Sequence, residues 1–127
     1  MSKVPEDLKY SNDHEWVKVD GKIATIGITD YAQDQLGDIV YVELPAAGKE
    51  FKVKEEFGVV ESVKSVSSLF SPLTGKVVEV NAELSNNSQI VNQDPYGKAW
   101  MIKVEMSNPS DLGALLSAAD YAKLSEK

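Results

Sequence analysis

The chain has 127 residues, 43% of them hydrophobic, and its 13 basic and 20 acidic side chains give a formal charge of −7. That length suits one domain (residues 1–127) burying about two-thirds of its unfolded surface, and the acidic balance argues against nucleic acid and anionic membrane as partners. With no cysteine, disulfides, thiolate catalysis and thiolate-held zinc or iron–sulfur centres are excluded, and any redox sulfur must come with an attached group.

The opening residues 1–7 hold neither an apolar leader core nor an Arg-rich, acid-poor transit segment. No apolar run reaches membrane-spanning length. The expected location is a bacterial-type cytoplasm, although a processed organellar protein would look the same. Residues 16–28 alternate apolar and polar and turn at Asp20-Gly21, which predicts a hairpin. Thr29 or Asp30 caps a short helix through Leu36, stopped by Gly37. Residues 39–44 read as a strand ended by Pro45, and 52–56 as an exposed run of mixed charge. Further strands are expected over 76–80 and 100–104, with a polar turn at Ser85-Asn86-Asn87-Ser88. Asn108-Pro109 gives a cap and a first-turn proline for a helix over 109–115, and Ser117 caps another over 118–124. The core is expected over about 8–107, with C-terminal helices over about 109–125. Gly48-Lys49-Glu50-Phe51 is faintly echoed by Asn81-Ala82-Glu83-Leu84. Pattern alone gives a mainly β domain with peripheral helices.

Two β-prone runs, 59–63 and 66–70, meet at Lys64, with Gly58 and Pro72 as turn signals outside them. The junction lacks the Asn-Gly or Asp-Gly of primed two-residue loops. A type I turn accepts most residues, so Lys64 can stand at a hairpin tip with its amine clear of the sheet.

Other candidates have competing structural readings. His14, the single histidine, suits a hydrogen-bonding role as well as a functional one, and no second histidine completes a usual zinc site. No nucleophile–base pair suggests catalysis. Glu61 reads as an exposed strand residue and Gly75 as the positive-φ residue of a Pro72-Leu73-Thr74-Gly75 turn. Trp16, Tyr96 and Trp100 read as core or core-edge aromatics.

Around Lys64, Gly48 lies upstream, Glu61 three residues before and Gly75 eleven after. This arrangement resembles the biotinyl/lipoyl carrier fold. His14-Glu15-Trp16, Gly27-Ile28-Thr29-Asp30-Tyr31-Ala32-Gln33, the Leu36–Pro45 stretch through Gly37-Asp38-Ile39-Val40-Tyr41, and Asp94-Pro95-Tyr96-Gly97 are similar to the glycine cleavage system H protein family, from about Leu8 to Tyr121. The resemblance implies a barrel-sandwich hybrid of two quasi-symmetric antiparallel sheets. It also implies lipoate amide-linked to Lys64, a non-catalytic shuttle role, and Glu61 and Gly75 as signals read by a lipoate-attaching enzyme. Three further partners follow from it: a pyridoxal-phosphate glycine decarboxylase (P protein) that loads the aminomethyl group, a tetrahydrofolate-dependent aminomethyltransferase (T protein) that removes it, and a dihydrolipoyl dehydrogenase (L protein) that reoxidises the dithiol. Asp13, Glu15 and Ser68 are implied to border a cleft sheltering the loaded arm. Ser65 and Ser68 stand where the family favours alanine and aspartate, and Asp13 and Ala99 where it favours serine and glycine. A biotin carrier on the same fold would place methionines beside the lysine, whereas Val63 and Ser65 flank Lys64. An unmodified β-rich interaction domain is the third reading, and intact mass separates all three.

Overall fold

A computed structural model describes residues 4–125; the part of the leader reading that falls on residues 1–3 lies outside the described residues. In chain order the elements are β1 (Lys9–Tyr10), β2 (Glu15–Asp20), β3 (Ile23–Ile28), α1 (Asp30–Leu36), β4 (Ile39–Glu43), β5 (Glu50–Phe51), β6 (Glu56–Ser62), β7 (Val66–Phe70) and β8 (Gly75–Val80). They continue through α2 (Glu83–Asn86), α3 (Ile90–Gln93), β9 (Ile102–Met106), a 3-10 helix (Pro109–Ala114) and α4 (Ala118–Ser125). The strands form a six-stranded sheet ordered β1-β2-β3-β9-β8-β5 and a three-stranded sheet ordered β4-β6-β7. Every pairing is antiparallel. Two antiparallel sheets with short helices are what the sequence led us to expect, although the sheets are unequal and do not close into a barrel.

The core lies between the sheets because each contributes an alternating apolar face. Val17, Ala24, Ile26, Val77 and Val104 of the larger sheet join Val42, Val60 and Leu69 of the smaller one in a single buried cluster. Each fully buried aliphatic side chain there contributes about 1.5–3 kcal/mol. A second cluster of Leu8, Tyr10, Trp16 and Tyr121 seats α4 against the start of the chain. The Tyr10 and Tyr121 rings stack with centroids 4.6 Å apart.

Local chemistry explains both agreements and departures. Thr29 caps α1 by accepting from the Ala32 N–H, and Gly37 ends it at φ 85°. The Ser117 hydroxyl accepts from the Asp120 N–H at the start of α4 (3.2 Å), as its sequence position suggested. The β2–β3 loop is Gly21-Lys22, one residue later than expected: Asp20 pairs with Ile23, and Gly21 takes φ 64°, the sign required at the first position of a II′ turn. Gly58 is not a turn residue outside the hairpin but part of β6, at a register shift between Glu56 and Gly58. A Cβ there would overlap the Glu43 carbonyl. The 109–115 segment is a 3-10 helix with Pro109 in its first turn, and the Asn108 side chain makes no capping bond; it hydrogen-bonds instead within its own loop, to Asp111 and Ser110. The polar 85–88 run closes single-turn α2 and leads to α3, so the echo of 48–51 in 81–84 pairs a strand with a helix.

Candidate functional site

Lys64 lies at the tip of the β6–β7 hairpin. Glu61 pairs with Val66, and the Ser62 N–H donates to the Ser65 carbonyl (2.8 Å), leaving Val63-Lys64 as the loop. Neither has positive φ, which excludes the primed turns and agrees with the type I expectation. Buried Ser62 braces the turn from inside: its Oγ accepts from the N–H of Lys64 (3.3 Å) and of Ser65 (3.1 Å). The corner before β4 supports the hairpin from beneath, where the Asp38 carbonyl accepts from the Val63 N–H (3.0 Å). Asn92 of α3 fixes that corner. Its Oδ1 accepts from the Ile39 N–H (2.8 Å), while its Nδ2 donates to the Gly37 carbonyl and to Gln33 Oε1 (both 2.9 Å).

The Lys64 stem runs over Gly37, where a Cβ would stand 3.5 Å from Lys64 Cε. The residue is exposed, and no hydrogen bond or ion pair among the described residues engages its Nζ. A primary amine on a flexible stem, held on a rigid turn and left to solvent, is suited to acylation. The turn brace and the corner beneath it were missed in the sequence. Ser62 was detectable as a Ser whose side chain can close a turn two residues on, but Asn92 acts across the fold and carries no local signal.

The other expected site residues fall elsewhere. Glu61 is half-buried on β6, one register row from the tip. Gly75 does not supply positive φ. It opens β8 in the larger sheet, buried between Phe51 and Met106. A Cβ there would overlap the Glu105 carbonyl and the Val104 side chain, so glycine is required for close backbone approach.

Glu15 is only 1% exposed and ties the sheets together. It accepts from Ser11 Oγ (2.7 Å) and from the Phe70 N–H at the end of β7 (3.2 Å). Burial pushes its carboxyl up to about 7, against the lowering effect of those two hydrogen bonds. Asp13 is instead at the surface, paired with Lys54 at 3.1 Å. Ser68 lies on β7 opposite Val59, half-buried and two residues from Phe70, so it shares a face with it. Glu15 reaches the end of β7 through the Phe70 N–H, two residues from Ser68, while Asp13 is drawn off toward Lys54. Phe70 lies about 13 Å along β7 from Val66.

His14 has a structural role, with Nδ1 2.8 Å from the Tyr121 hydroxyl, its ring 4.8 Å from that of Tyr31, and its pKa lowered by burial. The Tyr121 hydroxyl also meets Thr29 Oγ1 at 2.6 Å, and burial pushes its pKa up. Trp16 is buried and donates to the Pro95 carbonyl (2.9 Å). Lys103 sits over the Trp100 ring at 5.0 Å. Both aromatics are core or core-edge, as read. Among the described residues no group of three or more His, Cys, Asp or Glu is placed to hold a metal, and no helix is long and apolar enough to cross a membrane.

The sequence model of the family described as Glycine cleavage H-protein matches residues 8–127. The chain belongs to that family. It is 61% identical to the glycine cleavage system H protein of Carboxydothermus hydrogenoformans over 127 residues, covering all of this chain and 98% of the relative. Identity to the H protein of Symbiobacterium thermophilum is 59% over 121 residues, with 95% and 94% covered. The crystal structure of a glycine cleavage system H protein from Mycobacterium marinum superposes with a TM-score of 0.90 at 36% identity, covering 98% of this chain and all of that one. Family membership carries the role its name denotes, a lipoyl-bearing shuttle of the glycine cleavage system and not a catalyst.

Proposed function

We propose that Lys64 is the attachment point of lipoate and that the chain carries aminomethyl groups and electrons on that arm as one carrier domain. The observation that supports this most is the solvent-facing Lys64 amine on a turn whose backbone is fixed by Ser62 and Asp38. The fit to lipoate is good: the stem passes a residue without a side chain, Gly37, and no ion pair among the described residues competes for the amine. When attached, lipoate supplies a dithiolane that takes up the aminomethyl group and cycles between disulfide and dithiol. The protein's own task is positional. A tethered group meets an engaged active site at an effective concentration on the order of millimolar, and a rigid tip limits the volume it searches.

The proposed partners are the glycine decarboxylase, the aminomethyltransferase, the dihydrolipoyl dehydrogenase and a lipoate-attaching enzyme, in a bacterial-type cytoplasm. Glu61, beside the tip, is a candidate signal for the attaching enzyme. Gly75 contributes to that recognition through the fold, because its buried Cα offers no side chain to read.

The sheltering cleft is proposed along β7, with Glu15 and Ser68 as lining and Asp13 at its edge. An ammonium arriving beside Glu15 would favour the carboxylate and offset the effect of burial, so arm docking and Glu15 ionisation should be coupled. The test of the whole reading is Lys64→Arg in a system reconstituted with the three enzymes. The guanidinium keeps the charge but is not the acylatable amine. Glycine-dependent reduction of NAD should fall to background while the far-UV circular dichroism is unchanged; activity within twofold of wild type would sink the assignment.

A further inference from the structure

Seven large hydrophobic residues are exposed among the described residues, and four of them, Val63 and Val66 on the hairpin that carries Lys64 and Val40 and Tyr41 on the adjoining strand, lie at the same end of the small sheet. Val63 is 69% and Val66 66% exposed. Register places Tyr41 opposite Glu61 and Glu61 opposite Val66, so one row crosses all three strands of the small sheet beside the tip. A bulge between Ile39 and Tyr41 lets the consecutive residues Val40 and Tyr41 both face solvent, at 56% and 46% exposure. A regular strand would have turned one of them inward. The bulge keeps both Ile39 and Val42 in the core although they are three residues apart, and on the other face it builds an apolar strip near the foot of the lysine. Scattered exposed valines need no explanation, but a contiguous group beside a reactive amine does. Glu61 stands within this row and Glu43 lies two residues beyond Tyr41 on the same strand, and the three strands of the sheet carry no basic residue, so the strip is acidic in character.

We propose that this strip is the docking face for the enzyme that acylates Lys64, a partner offering an apolar patch with a basic rim. The inference rests on Lys64 being the lipoylated residue. Its choice among the partners follows from reach. The unmodified amine stands on a four-carbon stem, so the attaching enzyme must bring its own surface against the hairpin to contact Nζ. Enzymes that use the finished, much longer arm can receive it without touching the strands. In the acylation step the neutral Nζ attacks the carbonyl of an activated acyl donor of the acyl-adenylate class. The amide C–N bond forms as the acyl–phosphate bond breaks, adenylate leaves with the electron pair, and the amine's proton passes to solvent. A basic rim on the enzyme meets the acidic row, and Val63, Val66 and Tyr41 supply the desolvated centre that such an interface needs.

The test uses the unmodified full-length chain, lipoate, ATP and a lipoate–protein ligase, with acylation followed by intact mass. Val66→Ser and Tyr41→Ser should each raise KM for the acceptor about tenfold with kcat nearly unchanged. Val78→Ser, at a similarly exposed valine on the other sheet (44%), should leave both constants as in wild type. Thermal melts establish that each variant is folded. Failure of wild type to gain a lipoyl mass on Lys64 would overturn the attachment reading itself. Acylation of wild type together with unchanged KM in Val66→Ser and Tyr41→Ser, or an equal KM rise in Val78→Ser, would overturn the docking face alone. So would unchanged acylation accompanied by slower reoxidation of the finished arm by dihydrolipoyl dehydrogenase, which would assign the strip to an arm-using enzyme.

Discussion

Glu15 is almost fully removed from water while holding a hydrogen bond from each side, Ser11 on its own loop and Phe70 on the opposite sheet. Its carboxyl is raised from 4.5 to about 7 by burial, so the folded state holds a proton that the unfolded chain has released across that window. Stability from this group is therefore full below about pH 4.5 and lost as pH rises through about 7, at most on the order of 3 kcal/mol. Glu15→Gln removes the titration. Urea midpoints of wild type should fall relative to the variant between pH 5 and 8, and parallel profiles would show that Glu15 does not titrate there. Gly75 separates two roles in the same way. Gly75→Ala drives a Cβ into the Glu105 carbonyl and Val104, and overpacking of this kind costs about 1–3 kcal/mol. A melting temperature several degrees lower is expected; a wild-type melt with slowed lipoylation would instead make Gly75 a directly read signal. Beyond the recognition role that the family resemblance implies, the local sequence offered Gly75 as a glycine near a proline, which suggested a turn. Its true constraint, the approach of β9, depends on a strand some thirty residues away and leaves no local trace.

At the level of elements, the turn carrying Lys64 is braced from inside by one side chain, Ser62. Ser62→Ala removes acceptor bonds to two backbone N–H groups, at a net cost of about 1 kcal/mol. Amide exchange at Lys64 and Ser65 should accelerate selectively, with a modest fall in the urea midpoint. Unchanged exchange at those two amides would show that strand pairing alone fixes the tip. The hairpin was legible because its valines and its turn-tolerant centre agree, although Gly58, read as a flanking turn signal, lies inside β6. α1 was legible for the same reason, with Thr29 and Gly37 at its ends. The two-residue strands β1 and β5 were not, since so short a run has no period to read and exists only through pairing with β2 and β8. The 3-10 form of 109–114 was likewise beyond the Asn-Pro signal, which marks a start but not the hydrogen-bond spacing that follows.

For the whole molecule, the arrangement of the sheets places β7 between two demands. Its tip must expose Lys64, and its far end must accept Glu15 from the larger sheet. The order β1-β2-β3-β9-β8-β5 arises from long-range pairings that alternation cannot specify, so two antiparallel sheets were expected from family resemblance and not from pattern. The acidic surface follows directly from composition, and with it the expectation that partners are basic where they touch. The proposed function is covalent: it requires that this particular amine be acylated. Intact-mass analysis with peptide mapping of the chain isolated from its own host tests that most directly. The account predicts a single lipoyl increment located on the peptide containing Lys64. An unmodified chain, a biotin increment, or lipoate on any other lysine would contradict it.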